Sequence, residues 1–295
     1  MNKLYSPAYI AASIEKYGVK ISRSLGQNFL TDRNITEKIV DAAKIEKDCL
    51  AIEIGAGMGA LTAAAAERAA WVISVEIDRN LIPALTENLK EYDNIEIVCA
   101  DILKLNINNM IKSHVEKTGQ GTIRTAIIGN LPYYITSPVI MKILEEKTAA
   151  KSMTFMVQKE VADRICAKPG TKAYGAITAA INYYCKVSLI SNVPRGVFIP
   201  KPNVDSAVVQ FSIRESSPVN LENEALFFAC IKAGFGQRRK TLLNSMTGTY
   251  GLGRREIAAA LQCAGINPER RAETLNIFEF AELANCIHRE AAKTQ

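Results

Sequence analysis

Between Cys49 and Arg214, short apolar runs alternate with stretches of helical spacing. "LAIEIG", "WVISVEID", "NIEIVCAD", "TAIIGN" and "MTFMVQ" are rich in β-branched residues and have the length of buried strands. Leu61–Ala70, Arg79–Lys90 and Pro138–Glu146 lie between them and carry good helix formers at helical spacing. The alternation predicts an α/β domain, a parallel sheet with helices on both faces. Beyond "TKAYG", a helix over "AITAAINYYC" leads to a strand pair, "KVSLIS" and "SAVVQFSIR", on either side of the Pro-rich "VPRGVFIPKPNV". From Pro218 onward strand signals vanish. "NEALFFACIKAGF", "RKTLLNSM", "RREIAAALQCAG" and "FEFAELANCIHREAAK" read as short helices. The expected organisation is an α/β domain over 1–217 and a smaller all-α domain over 218–295, divided at "ESSPV". "LNINNMIKSHVEKTGQGTIRT" carries no motif and reads as a variable surface insertion.

Composition narrows the class. The chain has 295 residues, 48% hydrophobic and 22% charged, enough to bury one large core and a smaller one. No apolar run approaches the roughly 20 residues that span a bilayer, and the N-terminus has no signal-peptide pattern. The seven cysteines are scattered without a CxxC pair, which predicts free thiols in a reducing cytoplasm. Two unclustered histidines, His114 and His288, argue against a zinc site, and no metal is expected. The net charge of +6 permits a nucleic-acid partner without requiring one.

"AIEIGAGMGALT" places Gly55, Gly57 and Gly59 between the first strand and its helix. Glycine there lets the chain turn sharply and lets a ligand approach the backbone. With Ala60 the stretch satisfies GxGxxA, so a dinucleotide site competes. Glu76, about twenty residues downstream at the tip of the second strand, would bind ribose hydroxyls in either case. Asp101, at the end of the third strand beside Ile102, discriminates better. Its carboxylate can accept from an adenine amino group while Ile102 packs on the ring, although Asp101 alone could simply cap the next helix. Glu53, where a dehydrogenase usually packs an apolar residue, also points to S-adenosylmethionine over a nicotinamide.

The residues here resemble the adenine dimethyltransferases of ribosomal RNA, particularly the small-subunit group. "SLGQNFL" (24–30), "EIGAGMGALT", "VEID", "NLPY" (Asn130–Tyr133), "FIPKPNVDSAV" (198–208) and "FGQRRKTLLN" (235–244) occur in the family's order and cover nearly the whole chain. NLPY alone is moderately specific; six ordered segments are strongly so. The resemblance implies a Rossmann-like class I S-adenosylmethionine-dependent methyltransferase domain with a smaller all-α C-terminal domain. It implies that Asn28 and Leu30 line the cofactor pocket, and that Gly55 and Gly57 form its loop, with Gly55 against the methionine portion. Glu76 with Ile77 would hold the ribose, Asp101 with Ile102 the adenine, and Asn130 would touch cofactor and target base. Ala100, where relatives often have Gly, is a departure.

An exocyclic adenine amine is a poor nucleophile because its lone pair is delocalised. Two acceptors aimed at its hydrogens, the Asn130 side-chain oxygen and the Leu131 carbonyl, would favour the localised form, with Pro132 fixing the turn. Tyr133 and Phe198 would stack on the two faces of the extruded base, offsetting about 1–3 kcal/mol of unstacking. Positioning and electrostatics would then supply most of the rate, without a strong general base. Tyr134 reads as core packing. Arg23, Arg195, Lys201 and the run Arg238, Arg239, Lys240 would meet RNA phosphates.

The expected activity is dimethylation of two adjacent adenosines near the 3′ end of 16S ribosomal RNA, within the immature small subunit, by a cytoplasmic monomer with a further role in subunit maturation. Three alternatives stay open. They are a large-subunit resistance-type enzyme, a nicotinamide oxidoreductase that leaves NLPY unexplained, and a non-catalytic assembly factor.

Overall fold

The computed structural model describes residues 2–22, 25–119 and 123–294. The chain divides into two compact units, Met1–Ala162 with Val187–Ile213, and Asp163–Lys186 with Arg214–Gln295.

The strands are β1 (Phe29–Leu30), β2 (Cys49–Ile54), β3 (Trp71–Glu76), β4 (Ile95–Cys99), β5 (Arg124–Asn130), β6 (Ser152–Gln158), β7 (Cys185–Val193), β8 (Phe198–Ile199) and β9 (Ser206–Ile213). Seven form one sheet in the order β4-β3-β2-β5-β6-β9-β7. β4, β3, β2, β5 and β6 are parallel, as the alternation predicts. β9 departs from that expectation and runs antiparallel to β6, Phe155 facing Val209. Hairpin-like returns need no crossover helix, so two late strands close the sheet edge without lengthening the βα pattern. Every residue of β2 is buried, which is why "CLAIEI" is apolar at every position but Glu53 and does not alternate. Each fully buried Leu or Ile of this kind contributes about 1.5–3 kcal/mol.

The helices of the first unit are α1 (Pro7–Lys16), α2 (Arg33–Ala42), α3 (Ala60–Ala66), α4 (Ile82–Leu89), α5 (Ile107–Thr118) and α6 (Thr136–Glu145), with α7 (Lys159–Ile165) following β6. α1 and α2 lie outside the alternation, yet both have legible starts. Ser6 accepts from the Tyr9 N–H ahead of Pro7, and Asp32 from the Asn34 N–H. α5 corrects the insertion reading. Asn106 accepts from the Asn109 N–H, Gly119 ends the helix at φ +65°, and Ile107, Ile111 and His114 bury one face. The His114 ring stands 5.6 Å from that of Trp71. Gln120, Gly121 and Thr122 of that stretch lie outside the described residues.

The second unit contains α8 (Ala176–Tyr184), α9 (Glu224–Gly236), α10 (Leu242–Met246), α11 (Arg254–Cys263) and α12 (Ile277–Thr294). The division therefore differs from 1–217 and 218–295, because residues 163–186 join the helical unit. The reason is packing: Tyr174, Ala179 and Tyr183 belong to the core of Phe227, Leu261, Phe280 and Ile287, with Tyr183 5.2 Å from the Phe227 ring. Free thiols were expected throughout. Instead Cys263 at the end of α11 and Cys286 in α12 are disulfide-paired, brought together by helix packing that sequence spacing does not encode.

Candidate active site

Strand order reverses at β2, with β3 and β4 on one side and β5 and β6 on the other. In such sheets ligands bind where loops diverge at the carboxyl ends. A cavity of about 300 Å³ lies there within the first unit, bounded by Gly55, Glu76, Asp101, Asn130 and the Asn28–Leu30 segment. Gly55 and Gly57 adopt φ of +82° and +58°, and a side chain on Gly57 would press on the Phe29 ring at 3.2 Å.

The carboxylates are fixed before any ligand arrives. Glu76 Oε2 accepts from the Gly57 N–H and Oε1 from the Asp78 N–H, both at 2.9 Å. Each oxygen keeps a further lone pair, the capacity needed to accept from paired hydroxyls. Burial pushes the Glu76 pKa up, opposed by those two backbone donors. Asp101 Oδ1 receives the Leu103 N–H at 3.0 Å in a local turn, and Oδ2 lies 3.9 Å from Lys104 Nζ. The cap of the following helix is Asn106, so Asp101 does not take the capping role that was its alternative. Glu53 is buried beneath them. Its Oε2 accepts from Thr62 Oγ1 at 2.5 Å and Ser74 Oγ at 3.0 Å, and burial pushes its pKa up to about 8. Glu53 is thus neutral at pH 7, the form in which an acid can occupy a position usually apolar.

At the end of β5, Asn130 Nδ2 donates to the Asn28 carbonyl at 3.0 Å, and Asn28 Nδ2 donates to the Gly26 carbonyl at 2.9 Å. With Nδ2 engaged, the Asn130 amide is oriented with Oδ1 as its acceptor. The Leu131 N–H returns to the Met156 carbonyl at 3.1 Å, and the Pro132 carbonyl accepts from the Ile135 N–H. Gly129 permits this junction, since a Cβ there would lie 2.5 Å from the Ile54 carbonyl oxygen. Gly129→Ala is expected to lower stability by about 1–3 kcal/mol. Gly196→Ala, where a Cβ meets nothing within 4 Å, should stay within about 0.5 kcal/mol by urea denaturation.

Several sequence expectations change. Tyr134, read as core, is 54% exposed and lines the cavity; burial and the charges of Asp101 and Glu76 raise its pKa. Tyr133 is half-buried, its hydroxyl 3.3 Å from Ser206 Oγ, and does not line the cavity. Phe198 is only 3% exposed, packed with Leu30, Ile35 and Val208, and is not among the cavity-lining residues. The short β1–β8 ribbon explains this, because it pairs Leu30 with Phe198 and turns the ring into the core. Ile77 and Ile102 do line the cavity.

The basic residues fall on both units. Arg195 and Lys201 are exposed on the first, where Arg195 donates to the Asn203 carbonyl. Arg239 and Lys240 are exposed on the second. Arg238 is engaged by the Lys172 carbonyl at 2.8 Å and Glu273 at 3.3 Å, which weakens its claim to a phosphate. Arg23 and Ser24 lie outside the described residues.

Residues 18–289 match the family model described as ribosomal RNA adenine dimethylase. The chain is 46% identical over 288 residues to the ribosomal RNA small subunit methyltransferase A of Clostridioides difficile, covering 98% of each. It is 47% identical over 287 residues to the enzyme of that name in Alkaliphilus oremlandii, covering 97% of this chain and 98% of the relative. Among solved structures, a dimethyladenosine transferase from Plasmodium falciparum aligns with a TM-score of 0.72 at 27% identity, over 86% of this chain and 95% of that one. The 23S rRNA methyltransferase ErmE aligns at 0.66 and 28%, over 88% and 99%. With a sheet that carries Glu76, Asp101 and Asn130 at successive strand ends and a family match over nearly its whole length, this chain belongs to the ribosomal RNA adenine dimethylase family.

Proposed function

We propose that the chain uses S-adenosylmethionine to dimethylate N6 of two adjacent adenosines near the 3′ end of small-subunit ribosomal RNA. The observation that carries the cofactor assignment is electrostatic. The cavity is lined by Glu76, Asp101 and the neutral acid Glu53, and among the described residues no Lys, Arg or His lines it. A dinucleotide pyrophosphate would face carboxylates without a cation, at a cost that grows as water is excluded. A sulfonium-bearing nucleoside reverses that sign, and the Glu76 carboxylate, already held by two amides, suits a ribose diol. The small-subunit target follows the names of the relatives above.

S-adenosylmethionine, when bound, supplies an electrophilic methyl group whose leaving group is already in place. The chain's own residues hold and orient. Asn28, Leu30, Gly55 and Gly57 border the methionine end, Glu76 and Ile77 the ribose, and Asp101 and Ile102 the adenine. Asn130 Oδ1 and the Leu131 carbonyl accept the two hydrogens of the target amine, with Pro132 holding their direction. Tyr133 presents its ring to the base only by leaving Ser206, whereas Tyr134 already lines the cavity. Phe198 takes the opposite face of the base only by leaving its present packing. Arg195, Lys201, Arg239 and Lys240 meet phosphates, fixing position without reading sequence. Action on the immature subunit, as a cytoplasmic monomer, belongs to the same reading. No helix among the described residues is long and apolar enough to cross a membrane.

The test is purified protein with radiolabelled S-adenosylmethionine and undermethylated small and large subunits in parallel. Label recovered as dimethyladenosine in small-subunit RNA is the expected result. Label confined to large-subunit RNA would transfer the chain to the resistance-type group. Binding to the small subunit without labelling would favour an assembly role alone.

A further inference from the structure

One polar contact at the cavity wall is left unused by the chemistry above. Gln27 stands between Gly26 and Asn28, and with them it lines the same cavity. Its Nε2 donates to Asp78 Oδ2 at 2.6 Å, while its Oε1 accepts from the Ser22 N–H at 2.8 Å. The amide is therefore held from both ends and has one orientation. Asp78 is only 6% exposed, and its Oδ1 receives the Asn80 backbone and side-chain N–H groups, both at 3.0 Å. The Asp78 N–H in turn donates to Glu76 Oε1. Next to Gln27, the Asn28 carbonyl receives Asn130 Nδ2. A continuous hydrogen-bonded path thus joins the ribose-facing carboxylate, through Asp78 and Gln27, to the segment that orients the Asn130 amide.

We infer that Gln27 and Asp78 form a latch that positions the Gly26–Leu30 segment over the cavity, so that the cofactor end at Glu76 and the acceptor at Asn130 are set by one contact. Neither residue is a catalytic residue; both are positioning residues. The inference rests on the reading of this cavity as the S-adenosylmethionine site. A hydrogen bond to a buried charge is worth enough to set an affinity, and a charged partner left buried costs more than the bond itself contributes. The latch is also reversible by design. In Gln27→Glu two carboxylates face each other, in Asp78→Asn two amide donors do, and in the double variant a donor again meets an acceptor with the direction exchanged. The Ser22 N–H and Asn80 contacts keep an acceptor in every case, so the cycle isolates the Gln27–Asp78 contact.

The experiment is calorimetric binding of S-adenosylhomocysteine to the full chain, with thermal unfolding and hydrogen exchange over residues 25–30 measured alongside. Each single variant is expected to bind about tenfold more weakly and to lose protection in that segment. The double variant is expected to recover to within about threefold of the parent. A fold-stabilising role alone would shift thermal unfolding in the single variants without the affinity following, and that outcome overturns the latch. So does a double variant that binds no better than the singles. Glu76→Ala is run as a control for the pocket itself. If the parent binds and Glu76→Ala does not, equal binding by the Gln27 variants counts against the latch only. If the parent fails to bind, or Glu76→Ala binds as the parent does, the cofactor reading falls and takes the latch with it.

Discussion

Asn130→Ala is expected to reduce the rate of methyl transfer about 10²- to 10³-fold while RNA affinity stays within about threefold of the parent. The magnitude is that of removing one preorganised polar group from a site where charge shifts in the transition state. The structure explains why the loss falls on rate. Asn130 Nδ2 is engaged by the Asn28 carbonyl at 3.0 Å, so the amide is already oriented and pays no reorganisation when the target amine arrives. Alanine removes the acceptor and also releases the Asn28 carbonyl from its donor. Asn130→Asp supplies the sharper comparison. It keeps an acceptor oxygen but sets a carboxylate against the Asn28 carbonyl, so it should not restore the rate. Single-turnover transfer from labelled S-adenosylmethionine, beside filter binding of small-subunit RNA, separates the two quantities. A variant that loses RNA binding, or that transfers within about tenfold of the parent, would contradict the assignment of Asn130.

What could be read in advance was what the local sequence determines. β2, β3 and β5 announce themselves because both faces are covered, so burial demands mostly apolar runs without alternation. Glu76, Asp101 and Asn130 were legible for a related reason. A polar residue that ends such a run sits at the carboxyl edge of the sheet, where ligands bind. Side-chain direction beyond the strand ends was not legible. Tyr133 and Tyr134 are adjacent, and their roles as ring and packing residue could not be apportioned without knowing that Ser206 takes the Tyr133 hydroxyl. Phe198 looked available in a Pro-rich loop, but the β1–β8 ribbon buries it, and that pairing joins segments far apart in the chain. Arg238 looked like a free cation until Glu273 and the Lys172 carbonyl were placed beside it. Residues 163–186 were assigned by their sequence neighbours, whereas Tyr174 and Tyr183 are assigned by the core they fill. Gln27 was within a recognised motif, but its partner Asp78 is 51 residues away.

Glu53 should give the protein a stability that declines from acid toward alkaline pH, and Glu53→Gln should remove that decline. The side chain is 1% exposed, and its pKa is pushed up to about 8 chiefly by burial, against the opposing hydrogen bonds of Thr62 and Ser74. In the unfolded chain the same carboxyl titrates near the ordinary glutamate value of about 4.3. Below that value both states hold the proton, and the stabilising effect of the neutral form is fully present. Between the two values the folded state keeps a proton that the unfolded chain has released, so stability falls by about 1.4 kcal/mol per pH unit. Above about 8 the folded acid ionises as well, and the loss levels off. Across that window the loss is about 5 kcal/mol, a large share of the 5–15 kcal/mol that holds a domain folded. Glutamine is neutral at every pH and keeps an oxygen for Thr62 or Ser74, so its own profile lacks this slope. The other titrating groups are common to both proteins and largely cancel in the difference. Urea denaturation at pH 5, 6.5 and 8 should therefore show the variant gaining on the parent as pH rises. Parallel profiles would mean that Glu53 is ionised in the folded protein, and the cavity would then carry a third negative charge beside Glu76 and Asp101.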